Sequence, residues 1–252
     1  MTFDRALGPL AGLTEAQLAG PWPFRGKPST VRYALYHALE EEQRAVIAAT
    51  RAPTESGRIL SLAQSAFGEL RGLLAGLDDA VLDRAPAPGE WSLRETLAHT
   101  IDVERSYRAG TQYAVSRTAA EPILMPAERR PAPDPAHTAG SIFDILERFA
   151  ELRAETDAAF SELGDADLAR PTVTSGFEVD VRYRLHRFAS HVAEHTIQCS
   201  KAVVALGATG SDARAMCRRI GAMRGLHERR SDPSRMRELD AALAEKARLA
   251  SH

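Results

Sequence analysis

With 252 residues and 44% hydrophobic composition, the chain is long enough to bury one substantial core, or one core with a smaller appended unit. Its 32 basic and 34 acidic residues, for a formal net charge of -2, provide no overall positive field, so neither nucleic acid nor a membrane is expected as a partner. The two cysteines, Cys199 and Cys217, are too few for a disulfide framework and lack CxxC spacing. With no leader-like start and no apolar run of the ~18 to 20 residues that span a bilayer, a cytoplasmic, soluble protein is expected.

Apolar residues recur at three-and-four spacing nearly throughout, while alternating runs rich in Val, Ile and Thr are scarce, which predicts an all-α fold. In the first 55 residues, Leu10-Ala11-Gly12-Leu13 anticipates Leu74-Ala75-Gly76-Leu77. With a two-residue gap, Val31, Arg32, Leu35, His37 and Glu42 then fall opposite Leu93, Arg94, Leu97, His99 and Glu104. This N-terminal extension reads either as a partial copy of the first helix pair that follows or as two amphipathic pairs sharing one periodicity.

The first long helix is expected over roughly 62–82, with Phe67, Leu70, Leu74 and Leu77 on one side, ending before Ala85-Pro86-Ala87-Pro88-Gly89. Ser92-Leu93-Arg94-Glu95 has the form of a capping box and opens a second helix to about Val115. Five prolines between Arg117 and Thr138 predict a long irregular connection, either a lid or an idle surface loop, with His137 exposed.

Ser141 caps a third helix that ends at Gly164, and residues 165–180 read as loop. A fourth helix runs from Val181 to Leu206 and stops at Gly207. These four make an up-down four-helix bundle over residues 60–207. A C-terminal extension, 208–252, adds two helices, Ser211 to about Glu228 and another opened by Asp232-Pro233. Its Arg214, Arg218, Arg219, Arg224, Arg229 and Arg230 read as a solvated face.

The most specific chemical signal is His191-Val192-Ala193-Glu194-His195, because histidines four apart on a helix point the same way, one turn above the other. Glu194 and Gln198 share their arc. His186 lies about 140° from His191 and about 180° from His195, so it is no ligand. A pair alone is weak, and His99 on a separate helix is the candidate third ligand; three neutral imidazoles leave an open coordination position. Glu95, Asp102 and Glu194 are candidate orienting or basic groups, although Glu95 already caps its helix. Cys199, one turn beyond His195, reads as a small buried hydrophobe, and Trp22 and Trp91 as core anchors at helix entries.

Trp91-Ser92 at a helix start with His99 seven residues after the serine, followed by His191, Glu194, His195 and Gln198 in an H-x-x-E-H-x-x-Q arrangement, resembles the DinB/YfiT-like superfamily over roughly 62–206. The resemblance implies a four-helix bundle with His99, His191 and His195 as ligands of a divalent ion (zinc, nickel or iron) and a homodimeric assembly. It also implies a metal-dependent enzyme acting on a small molecule. The favoured activity is transfer or isomerisation with a low-molecular-weight thiol as cosubstrate. The alternatives are a hydrolase using metal-bound water and a non-enzymatic, metal-stabilised scaffold. The extensions at both ends depart from the family's common pattern and leave the substrate route open.

Overall fold

The computed structural model describes residues 2–24, 26–49, 54–174, 176–208 and 211–250. Ten helices carry the described chain: α1 (Phe3–Ala11), α2 (Glu15–Leu18), α3 (Val31–Ala48), α4 (Glu55–Leu74), α5 (Leu93–Ser116), α6 (Ile142–Phe160), α7 (Asp165–Leu168), α8 (Val181–Ala205), α9 (Asp212–His227) and α10 (Pro233–Ala250). The architecture is all-α, as the periodicity predicts.

Their ends follow local chemistry. Thr54 starts α4 by accepting from the Gly57 amide, several residues before the apolar stripe becomes evident, and the left-handed Gly76 (φ 65°) stops the chain just after Leu74. The helix expected over 62–82 is therefore shifted toward the N-terminus. Ser92 with Glu95 and Ser141 with Asp144 form complete capping boxes at α5 and α6. Asp180 caps α8 through the Tyr183 amide at 2.7 Å. The segment 165–180, expected as loop, holds α7 and a small antiparallel hairpin, β1 (Pro171–Thr174) with β2 (Phe177–Asp180). Its β-branched Thr172, Val173, Thr174 and Val179 suit paired strands, and Gly176 (φ 82°) lies in the turn between them.

The family-like bundle is α4, α5, α6 and α8. Around it the helices neighbour one another in the order α4, α8, α5, α6, so the connections from α4 to α5 and from α6 to α8 run across its diagonals. Phe67, Leu70, Leu74, Leu97, Ile101, Ile145, Phe149, Val192, Cys199 and Val203 fill its centre. Phe160, Leu168, Val181, Leu185 and Phe188 close one end.

The helices outside this bundle make a second apolar cluster. Phe3, Leu7 and Leu10 of α1, Leu35 of α3, Cys217 and Ile220 of α9, and Leu243 and Ala247 of α10 pack together. In this layer α1 lies on α10 and α3 on α9, as α4 lies on α8 and α5 on α6 in the other. The acidic residues set opposite each other by the sequence comparison play matching parts. Glu104 of α5 is buried against Arg153 of α6 (2.6 Å), and Glu42 of α3 is buried against Arg224 of α9 (3.2 Å).

The two layers meet where α4 and α9 run antiparallel, backbone against backbone. Gly68 faces Gly221, Gly72 faces Cys217 and Gly225 faces Gln64, each so close that a Cβ on the glycine would overlap the opposing carbonyl oxygen. Of the C-terminal arginines expected on a solvated face, Arg219 and Arg229 are exposed, but Arg214 and Arg224 are buried. Arg214 Nη1 donates to the carbonyls of Leu73 (2.8 Å) and Ala75 (2.6 Å) at the end of α4, and Arg224 is buried among Glu42, Asp240 and Glu228. Leu73, Ala75 and Glu42 lie more than a hundred residues away in sequence from these arginines, so a local charge pattern does not show those contacts. No helix among the described residues is long and apolar enough to cross a membrane.

Candidate metal centre

Helix α5 and helix α8 pack side by side and bring His99, His191 and His195 together. Their candidate ligand nitrogens all lie within 4.8 Å of one another. The ring centroids of His191 and His195 are 4.3 Å apart, and His99 lies 5.3 Å from the first and 4.8 Å from the second. His191 and His195 are buried and His99 is half-buried, so the cluster sits at the edge of the core.

The donor set fits a cation. The Nε2 atoms of His191 and His195 face each other at 3.0 Å, near the ~3.3 Å separation of two nitrogens each ~2.0 to 2.1 Å from a tetrahedral ion. Gln198 Oε1 lies 2.9 Å from His195 Nδ1 and accepts its proton, which leaves the lone pair on Nε2, the atom turned toward the other rings. Removing this orienting contact in Gln198→Leu is expected to weaken metal binding about 10- to 100-fold without loss of fold, measured by competition with a chromophoric chelator. Unchanged affinity would mean that Gln198 does not set the tautomer.

Burial, then the neighbouring His195 and His99, depresses His191 to about 3, and burial lowers His99 as well; both are held neutral at physiological pH, the form in which an imidazole can ligate a cation. For His191 the folded value lies below the unfolded one. Its contribution to stability is thus complete above the unfolded value, near pH 6.5, and is lost as pH falls toward 3. After allowance for partial solvent access, metal-free protein should lose about 2 kcal/mol through this residue between pH 7 and 4.5. Urea unfolding at the two pH values should show a correspondingly smaller loss in His191→Gln.

The surroundings separate the other candidates. Asp102 and Glu194 lie close enough to His99 to favour its charged form, whereas Glu95 is engaged by the Ser92 amide (2.8 Å) and hydroxyl (2.9 Å). Cys199 is fully buried in the core, its thiol pushed up to about 12 by desolvation, and it stands outside the ligand cluster. His186 is exposed on the far side of α8. Trp91 does not anchor the core: it is 43% exposed, with its ring 5.1 Å from that of His99. Just before the Ser92 cap, its side chain lies beside the first turns of α5 and walls an open cleft of about 680 Å³. Glu90, His195, Gln198 and Lys201 also line that cleft.

His37, opposite His99 in the sequence comparison, is half-buried in an aromatic group with Trp22 (6.4 Å) and Phe24 (4.6 Å), an echo of Trp91 beside His99. Its acidic and basic neighbours are Glu41 (3.4 Å) and Lys246, not a histidine pair. The proline-rich connection is tied down by Tyr113, which donates to the Pro122 carbonyl (2.7 Å), and by Arg105, which donates to that of Ala132 (2.8 Å). His137 within it is half-buried rather than exposed, because Asp134 (3.6 Å) and Arg148, which donates to its carbonyl (3.2 Å), hold that turn against α6.

A bundle of four long helices presenting three converging imidazoles from two of them defines a helical protein with a candidate metal site. The match of residues 63–199 to the DinB superfamily model makes the assignment specific, and the chain belongs to that family. Among solved structures, the chain is similar to YfiT from Bacillus subtilis, described as a probable metal-dependent hydrolase with an unusual four-helix bundle topology. The likeness has 15% identity and a TM-score of 0.47 and covers 60% of this chain and 87% of that one. No curated protein matches the chain.

Proposed function

We propose that the chain is a divalent-metal enzyme in which His99, His191 and His195 hold an ion that activates a low-molecular-weight thiol drawn from solution. The convergence of three imidazole nitrogens beside an open cleft carries this reading. When bound, a divalent cation on three neutral ligands supplies the positive charge that lowers the pKa of a thiol or water at its remaining position. The chain's residues do the rest. Gln198 fixes the tautomer of His195, Trp91 shields the His99 ring on one side, and Lys201 on the wall of the cleft favours an anionic group on the incoming molecule.

The thiol must come from outside. Cys199 and Cys217 are both fully buried and both pushed up to about 12 by desolvation, so neither supplies a nucleophile. A second reading, hydrolysis, draws support from Asp102 and Glu194 near His99, either of which is placed to take a proton from water.

Cobalt-loaded protein titrated with 2-mercaptoethanol separates the readings. Thiol-dependent chemistry predicts a saturable sulfur-to-cobalt absorption band that is absent from His195→Ala. A cobalt spectrum indifferent to thiol, together with metal-dependent cleavage of p-nitrophenyl acetate, would replace the thiol reading with hydrolysis. Indifference in both assays, with no exchangeable position on the ion, would leave a metal-stabilised scaffold.

A further inference from the structure

Among the described residues, every buried arginine but one has its charge answered. Arg71 reaches Asp4 (2.6 Å), Arg153 reaches Glu104 (2.6 Å) and Arg224 reaches Glu42 (3.2 Å), while Arg214 lies on the carbonyls that end α4, the negative end of that helix. The exception is Arg184 of α8. It is only 7% exposed, yet no carboxylate is among the groups that act on its charge. Its Nη1 donates to the Val173 carbonyl (2.8 Å) and the Thr174 hydroxyl (3.1 Å) of the hairpin, and its Nε to the Tyr107 carbonyl (3.4 Å). Nη2 makes no hydrogen bond among the described residues, and unlike the unbonded atoms of the interior it is not sealed from solvent. It lies over Gly110 of α5, where any Cβ would overlap it, with both N–H groups free. A buried cation without a counter-ion is costly, and a carboxylate or phosphate pairs with guanidinium N–H groups in strong, charge-assisted bonds.

The position of Arg184 ties it to the metal centre. It stands seven residues before His191, two turns along the same face of α8 and about 10 Å away at ~1.5 Å per residue. Tyr107 of α5 lies between them, its ring centre 5.7 Å from that of His191 and 5.6 Å from Arg184 Cζ. A second cation comes from the proline-rich connection. Arg130, exposed and without an ion-pair partner among the described residues, lies near enough to Arg184 to act on its charge. Burial depresses the Arg184 guanidinium most; Tyr107 works against that and Arg130 adds to it. Two like charges from segments far apart in sequence are thus held together with no anion between them.

We propose that Arg184 and Arg130 form a subsite for an anionic group, a carboxylate or a phosphate, carried by the molecule whose other end reaches the metal. The anion accepts from Arg184 Nη2 and from Arg130, and the rest of the molecule runs past Tyr107 toward the three histidines. The reacting atom and the anion of such a substrate are separated by about two helical turns. That the anion belongs to the metal centre's substrate rests on the function proposed above; the anion subsite does not.

The test is isothermal titration of the cobalt-loaded full chain with hexanoate, hexyl phosphate and, as the uncharged control, 1-hexanol. At least one anion should bind saturably and at least 10-fold more tightly than hexanol, and the tighter of the two identifies the group recognised. Arg184→Gln and Arg130→Glu should each remove that preference with metal content unchanged. Arg130→Glu alters an exposed side chain, so it decides the matter if Arg184→Gln fails to fold. The preferred anion carrying a terminal thiol, 6-mercaptohexanoate or 6-mercaptohexyl phosphate, is then compared with 6-mercaptohexanol. Its sulfur-to-cobalt band should half-saturate at a concentration at least 10-fold lower. No band from any of these thiols, with the anion preference intact, would reject the thiol reading and uphold the subsite; equal half-saturation would overturn its link to the metal's substrate. Anions that bind no better than hexanol, or a preference that survives both substitutions, would overturn the subsite itself.

Discussion

Replacing Gly221 by alanine should destabilise the chain by about 3 kcal/mol or more, although alanine is the better helix former by about 1 kcal/mol. The added methyl group would overlap the carbonyl oxygen of Gly68, and backbone cannot step aside as a side-chain tip can. The two helices would have to separate, loosening the neighbouring contacts of Gly72 with Cys217 and of Gly225 with Gln64. Urea denaturation checks this, and Gly68→Ala, the same collision from the other side, should cost a similar amount. A neutral or stabilising result for both would mean that α4 and α9 do not approach so closely.

The second large effect lies in the buried charges. Arg153 is fully buried, with Nη1 2.6 Å from Glu104 and Nη2 3.2 Å from Asp157, and Thr156 donates to the same Glu104 oxygen at 2.9 Å. Arg153→Met leaves Glu104 without its cation in the interior and Asp157 with only Arg229 (3.5 Å), and should cost about 3 to 5 kcal/mol. Adding Glu104→Leu removes the stranded charge and should recover much of the loss, so the double-mutant cycle should be strongly non-additive. Additive losses would mean that the two residues are not paired in solution.

How much of this was legible in the sequence depended on the range of each interaction. The capping boxes at Ser92 and Ser141, the helix stop at Gly207 and the His191–His195 pair are all set within a turn or two of chain, and spacing alone exposes them; the stop expected at Gly164 does not form there, since α6 ends at Phe160 and Gly164 (φ -85°) instead precedes α7 as its cap. The candidate third ligand, His99, could be named from its place on a separate helix, but only the resemblance to a family singled it out, since periodicity does not say which helix faces which. The ion pairs of Arg224 with Glu42 and the approach of α9 to α4 are long-range, and an arginine-rich helix read by itself suggests only a solvated surface. A faint signal was present: Gly68 with Gly72 and Gly221 with Gly225 are glycine pairs four apart on helices, the spacing that lets two backbones meet. Trp91 misled because a large aromatic at a helix entry ordinarily packs inward, whereas here it turns along α5 to the rim of the cleft.

The central claim, one divalent ion held by three histidines, is tested most directly by metal content per chain, measured by inductively coupled plasma mass spectrometry. The protein would be purified without a polyhistidine tag, as wild type and as His99→Ala, His191→Ala and His195→Ala. The arrangement of the three rings predicts close to one divalent ion per wild-type chain and its loss from each variant, with all four proteins folded. Wild-type protein that resists loading with zinc, nickel, iron or cobalt, or variants that keep their metal, would contradict it.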